Sequence, residues 1–116
     1  MIAHIISEPA FNVLRTREQL GYIVAAGHWQ LNGGGQSGIG ILVQSERDPV
    51  YLEARVDAFL CEMREKLATM SEEEFLEHKT ALQKQWREAP KNIHEEVNRY
   101  WGQIEWGFLD FFRRKS

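Results

Sequence analysis

A chain of 116 residues has room for one domain or for part of one. With 43% hydrophobic and 27% charged residues, it has the composition of a globular protein and not of a disordered one. Its net charge of −3 excludes nucleic acid as the main partner, because phosphate binding needs clustered positive charge; the one basic cluster, Arg113-Arg114-Lys115, reads as a solvated chain end.

In chain order, Ile2, Ile5, Ile6, Ala10, Val13 and Leu14 recur at helical spacing, so residues 2–18 read as an amphipathic helix. Pro9 interrupts that pattern in one of two ways: Ser7 caps a fresh helix with Pro9 in its first turn, or Pro9 kinks a continuous one. Gly21 ends the helical pattern. Residues 22–29 then read as a strand, 32–38 as a glycine-rich turn, and 39–44 as a second strand with Ile39, Ile41 and Val43 on one face. Two strands across such a turn predict an antiparallel hairpin.

Asp48 and Pro49 are a helix cap and first helical residue, and Leu52, Val56, Phe59, Leu60, Met63 and Leu67 form the apolar stripe behind them. Ser71 with Glu74 is a capping box, flanked by Met70 and Phe75 at the positions of a hydrophobic staple. That helix runs through Leu82 and Trp86 and stops before Pro90. Asn92 with Glu95 repeats the cap, and Ile93, Val97, Tyr100, Trp101, Ile104 and Phe108 make the last stripe. The fold class is therefore α+β, in the order α-β-β-α-α-α, with an antiparallel β-hairpin packed against four helices. A lone hairpin leaves both edges unpaired, so its sheet is expected to be incomplete.

A single cysteine, Cys61, cannot close an internal disulfide, and it is expected to be a buried, inert thiol beside Leu60 and Met63. The opening residues 1–6 lack the basic start of a signal peptide, and the final Arg-Lys-Ser is not the Ser-Lys-Leu peroxisomal address. No apolar run approaches the ~20 residues of a membrane span. The expected setting is the cytoplasm, without a membrane partner.

The histidines His4, His28, His78 and His94 supply no His-x-x-Glu-His zinc signature; the nearest approach, Glu74 to His78, has glutamate where the first histidine would stand. Glu74 is expected to reach back to the helix cap, and no metal site is expected in this chain. The glycines at 33–35 lack a phosphate-loop pattern and read as a turn. Trp86 and Trp101 fall on stripes expected to be core, whereas Trp106 lies off them, which leaves contact with another segment or partner open. The stretch from Phe11 to Val24 is different: it ends a helix and begins a strand, with Arg15 and Tyr22 on either side of the corner. A guanidinium and a phenol brought together there would offer fixed donors to a peptide carbonyl; kept apart, they would be an ordinary surface arginine and sheet tyrosine.

The run Leu14-Arg15-Thr16-Arg17-Glu18-Gln19-Leu20-Gly21-Tyr22 resembles the insulin-degrading enzyme family. Ser7-Glu8-Pro9, Val43-Gln44-Ser45-Glu46, Tyr51-Leu52-Glu53 with Arg55-Val56, and Arg99-Tyr100-Trp101-Gly102 follow in the order of that family, so the resemblance covers nearly the whole chain. It implies two bowl-like halves enclosing a chamber, a zinc site in the first of four related αβ domains, and this chain as part of the fourth. By resemblance, Arg15 and Tyr22 bind the substrate backbone near the scissile bond while Zn2+ in the catalytic half activates water. The implied partners are the catalytic N-terminal half of a zinc metalloendopeptidase and peptide substrates, with no cofactor bound by this chain. Residues 1–116 are then expected to form a partial C-terminal domain, lacking strands before residue 1 and a helix and strand after residue 116, and not catalytic alone. The alternatives are a non-enzymatic module that takes an extended peptide on its hairpin edge, or a degenerate fragment without activity.

Overall fold

The computed structural model describes residues 1–30, 36–105 and 107–112. Helix α1 (Ile2–Ala10) contains Pro9 and continues without a break into a π-helical segment (Phe11–Arg17), so Pro9 lies inside a continuous helix and does not open a fresh one. Ser7 does not cap; its hydroxyl donates to the His4 carbonyl at 3.1 Å. The wider turn shows in the closing bonds: the Glu18 N–H donates to Val13 O, five residues back, and the Leu20 N–H to Leu14 O, six back, both at 2.9 Å.

Strands β1 (Ile23–Gln30) and β2 (Ser37–Gln44) pair antiparallel, from Ile23 opposite Gln44 to Gln30 opposite Ser37. The expected turn at 32–38 falls mostly on residues 31–35, which lie outside the described residues, as do Trp106 and residues 113–116. Val24, Ala26, Ile41 and Val43 turn one face of the hairpin to the core; Ile23 and Leu42 on the other face are exposed. Three helices follow: α2 (Pro49–Thr69), α3 (Glu72–Arg87) and α4 (Ile93–Glu105). Each begins where its cap stands. Asp48 Oδ1 accepts from Val50 N (3.1 Å), Ser71 Oγ from Glu74 N (3.1 Å), and Asn92 Oδ1 from Glu95 N (2.9 Å). Among the described residues, no helix is long and apolar enough to cross a membrane.

The core gathers Ile5, Ile6 and Ala10 of α1, Leu14 of the π segment, Leu20, Val24 of β1, and Phe59 and Met63 of α2. Burial of each large apolar side chain contributes about 1.5–3 kcal/mol, so the first half of the chain and α2 carry the fold. The second half differs from expectation. No residue of α3 or α4 is buried, and Trp86 and Trp101, expected on core stripes, are each 58% exposed. Their stripes are amphipathic as read, but no further layer covers them among the described residues. Cys61 is exposed, not buried, because Phe59 and Met63 take the core-facing side of α2 and leave Leu60 and Cys61 outward. Glu74 also differs: its carboxylate lies 3.7 Å from Lys66 Nζ on α2, a longer-range partner than its own cap.

Candidate functional site

The corner between the π segment and β1 is fixed residue by residue. Leu14 and Leu20 are fully buried on either side of it. Between them Gln19 takes the left-handed conformation (φ 51°), which closes the helix end in the manner of a Schellman turn one residue wider than the α-helical kind. Gly21 then runs so close to β2 that a side chain would collide with the Gln44 carbonyl, and the Tyr22 N–H donates to that same carbonyl at 3.1 Å.

This corner brings Arg15 and Tyr22 together. Arg15 Nε donates to the Tyr22 main-chain carbonyl at 3.0 Å, and the guanidinium carbon lies 4.8 Å from the Phe11 ring centre and 5.8 Å from that of Tyr22. Both rings hold the cation by their π faces. The bond to Nε leaves the two terminal nitrogens without a hydrogen-bond partner among the described residues, and Tyr22 is 82% exposed. The outcome is an oriented fork of N–H donors beside an accessible phenol, an arrangement that can grip a carbonyl or carboxylate oxygen.

Reasoning from sequence missed what ties this corner down. Glu18, with a side chain only 13% exposed, accepts both prongs of Arg55 on α2: Nε to Oε2 at 2.8 Å and Nη2 to Oε1 at 2.7 Å. The hydrogen bond from Arg55 holds the Glu18 carboxyl below its ordinary value, against the opposing effect of burial, with the charges of Arg55 and Arg17 adding to the lowering. Arg17 Nη2 reaches Glu62 on the same helix at 3.4 Å. One sequence signal did point this way: a carboxylate at a helix C-terminus faces the negative end of the helix dipole and calls for a cationic partner.

As for metal, His4 and His78 meet edge to face at 5.9 Å between ring centres, but among the described residues no three His, Cys, Asp or Glu side chains converge. The donors present do not fit a zinc ion, which takes at least three protein ligands.

A family model described as PQQ synthase PqqF-like, C-terminal lobe domain 4, matches residues 1–101. Human insulin-degrading enzyme is 46% identical over 104 residues, which is 90% of this chain and 10% of that protein. The A-factor-processing enzyme of Saccharomyces cerevisiae is 41% identical over 116 residues, 100% of this chain and 11% of that protein. The crystal structure of pitrilysin superposes with a TM-score of 0.79 at 33% identity, covering 98% of this chain and 12% of that one. The chain belongs to the PqqF-like C-terminal lobe domain 4 family, among the insulin-degrading enzyme and pitrilysin peptidases. It spans about a tenth of the length of the curated relatives it matches.

Proposed function

We propose that this chain is the substrate-holding part of the C-terminal half of an insulin-degrading-enzyme-type zinc endopeptidase. The observation that carries the reading is the convergence of Arg15 and Tyr22 on one corner, where the half-buried arginine keeps its terminal nitrogens without a hydrogen-bond partner among the described residues and the tyrosine is 82% exposed. Arg15, held through Nε, turns its terminal N–H groups to a carbonyl of the bound peptide. Tyr22 donates its phenol O–H to the same stretch of backbone. Donors aimed at an oxygen that gains charge in the transition state stabilise it beyond the ground state. The ion and the water it activates belong to the catalytic half; this segment supplies grip and orientation. The intact protein works in the cytoplasm, with peptides as its substrates.

The test is made in the complete peptidase. Arg15→Ala and Tyr22→Phe are expected to lower kcat/KM by roughly one to three orders of magnitude, the scale of a lost transition-state donor. Unchanged kcat/KM in both variants would remove the two residues from the reaction.

A second reading is favoured by the two-stranded sheet, whose outer edges pair with no further strand among the described residues. In that reading the segment is a non-catalytic module that adds an extended peptide to the hairpin. Calorimetry on the isolated chain separates the two: micromolar peptide binding without zinc, unaffected by Arg15→Ala, favours the module.

A further inference from the structure

Arg15 and Tyr22 are only as well placed as the corner between them, and one polar tie of that corner reaches across to a different helix. Glu18 stands three residues after Arg15 and four before Tyr22, and its carboxylate meets Arg55 of α2 through two short, parallel hydrogen bonds. A bidentate carboxylate–guanidinium pair fixes both the separation and the relative plane of its two groups, which a single ion contact does not. The residue directly after Glu18 is left-handed without being glycine, a conformation that persists only where its surroundings hold it. Arg17 and Glu62 run beside the pair, but both are exposed, so they add little rigidity. Both oxygens of the Glu18 carboxylate accept from Arg55, and the Glu18 side chain is only 13% exposed, so Glu18 faces its partner on α2 and not the ligand side where Tyr22 stands open.

We infer that Glu18 and Arg55 are the positioning pair of this site, a strut from α2 that sets where the Arg15 fork and the Tyr22 phenol sit without touching substrate themselves. The inference rests on the reading of Arg15 and Tyr22 as substrate-holding residues. It identifies α2, far along the chain, as the element against which the corner is registered. Misplacing a reacting group by about 1 Å costs on the order of 100-fold in rate, so loosening the strut acts on turnover and not only on stability.

The experiment uses the complete peptidase with Glu18→Gln, Arg55→Lys, the charge-exchanged double variant Glu18→Arg with Arg55→Glu, and Glu18→Gln placed on Arg15→Ala. Melting is followed alongside kinetics, and Arg55→Lys, which keeps the charge but loses the fork, carries the test if Glu18→Gln does not fold. Both single variants are expected to lower kcat by about 10- to 100-fold with KM nearly unchanged. The exchanged pair is expected to recover much of the loss, and Glu18→Gln is expected to have no further effect where Arg15 is already absent, since residues acting as one unit are non-additive. A fall in melting temperature with unchanged kcat, or losses that multiply on the Arg15→Ala background, would overturn the inference. If Arg15→Ala lowers kcat/KM and Glu18→Gln does not, the strut falls and the substrate-holding reading stands; if neither Arg15→Ala nor Tyr22→Phe has an effect, both fall.

Discussion

Gln19 and Gly21 show how two backbone requirements, two residues apart, shape one corner. At Gln19 the chain takes a left-handed turn that a side chain disfavours by roughly 1–2 kcal/mol, whereas glycine there gives up about 0.5–1 kcal/mol of chain entropy on folding. Gln19→Gly is therefore expected to stabilise the chain by about 0.5–1 kcal/mol, read as a rise in the urea midpoint. Gly21 has no such latitude. A methyl group there meets the Gln44 main chain, so Gly21→Ala is expected to destabilise by about 1–3 kcal/mol and to loosen the Tyr22 N–H···O bond to Gln44. Faster amide hydrogen exchange at Tyr22 would report that loosening. The glycine break at 21 was legible in the sequence; the left-handed Gln19 was not, because glutamine carries no marker for it.

At the scale of elements, the strut between Glu18 and α2 makes a prediction about pH. Arg55 lowers the Glu18 carboxyl below its ordinary value of 4.5, so the folded state binds the proton less readily than the unfolded state does. The stabilisation is full above about pH 4.5 and is lost as pH falls through the lowered folded value. Glu18→Gln is expected to flatten the acid limb of a plot of urea midpoint against pH, while above that range it removes the stabilisation itself. The helices themselves divide sharply. Phe59 of α2 is fully buried, so Phe59→Ala is expected to cost about 3–5 kcal/mol. Trp101 of α4, equally apolar and equally well placed on its stripe, is more than half exposed, and Trp101→Ala is expected to change the stability of the isolated chain by no more than about 0.5 kcal/mol. Urea melts of the two variants check the contrast. Helical periodicity reported both stripes correctly and could not rank them, since the pattern describes one helix and burial depends on what lies opposite.

At the scale of the whole molecule, the solvent-accessible surface is 9107 Å², against ~6500 Å² for a compact monomer of the same mass. The radius of gyration of 16.6 Å likewise exceeds the ~13.4 Å of a compact chain of this length. Large apolar side chains contribute to it: Trp86, Ile93, Val97, Trp101 and Ile104 are each about half exposed or more. The isolated chain is therefore expected to self-associate at micromolar concentration, and Val97→Glu with Trp101→Glu to shift it toward monomer in sedimentation velocity, because an unrelieved apolar patch of this kind seeks cover.

What the amino-acid sequence determined by itself were the features written within a few residues: the caps at Asp48, Ser71 and Asn92, the hairpin strands, the helical stripes, the glycine corner, and the run from Leu14 to Tyr22 that marks the family. Only the tertiary structure decided that Pro9 sits within a continuous helix, that the helix widens toward its end, that Arg15 closes on Tyr22, and that Glu18 finds Arg55 at a sequence separation of 37. It also decided that Cys61 and two tryptophans face outward. The division has one physical reason. Caps, turns and periodicity are energies of neighbouring residues, whereas burial and salt-bridge pairing depend on which distant surfaces the chain brings into contact.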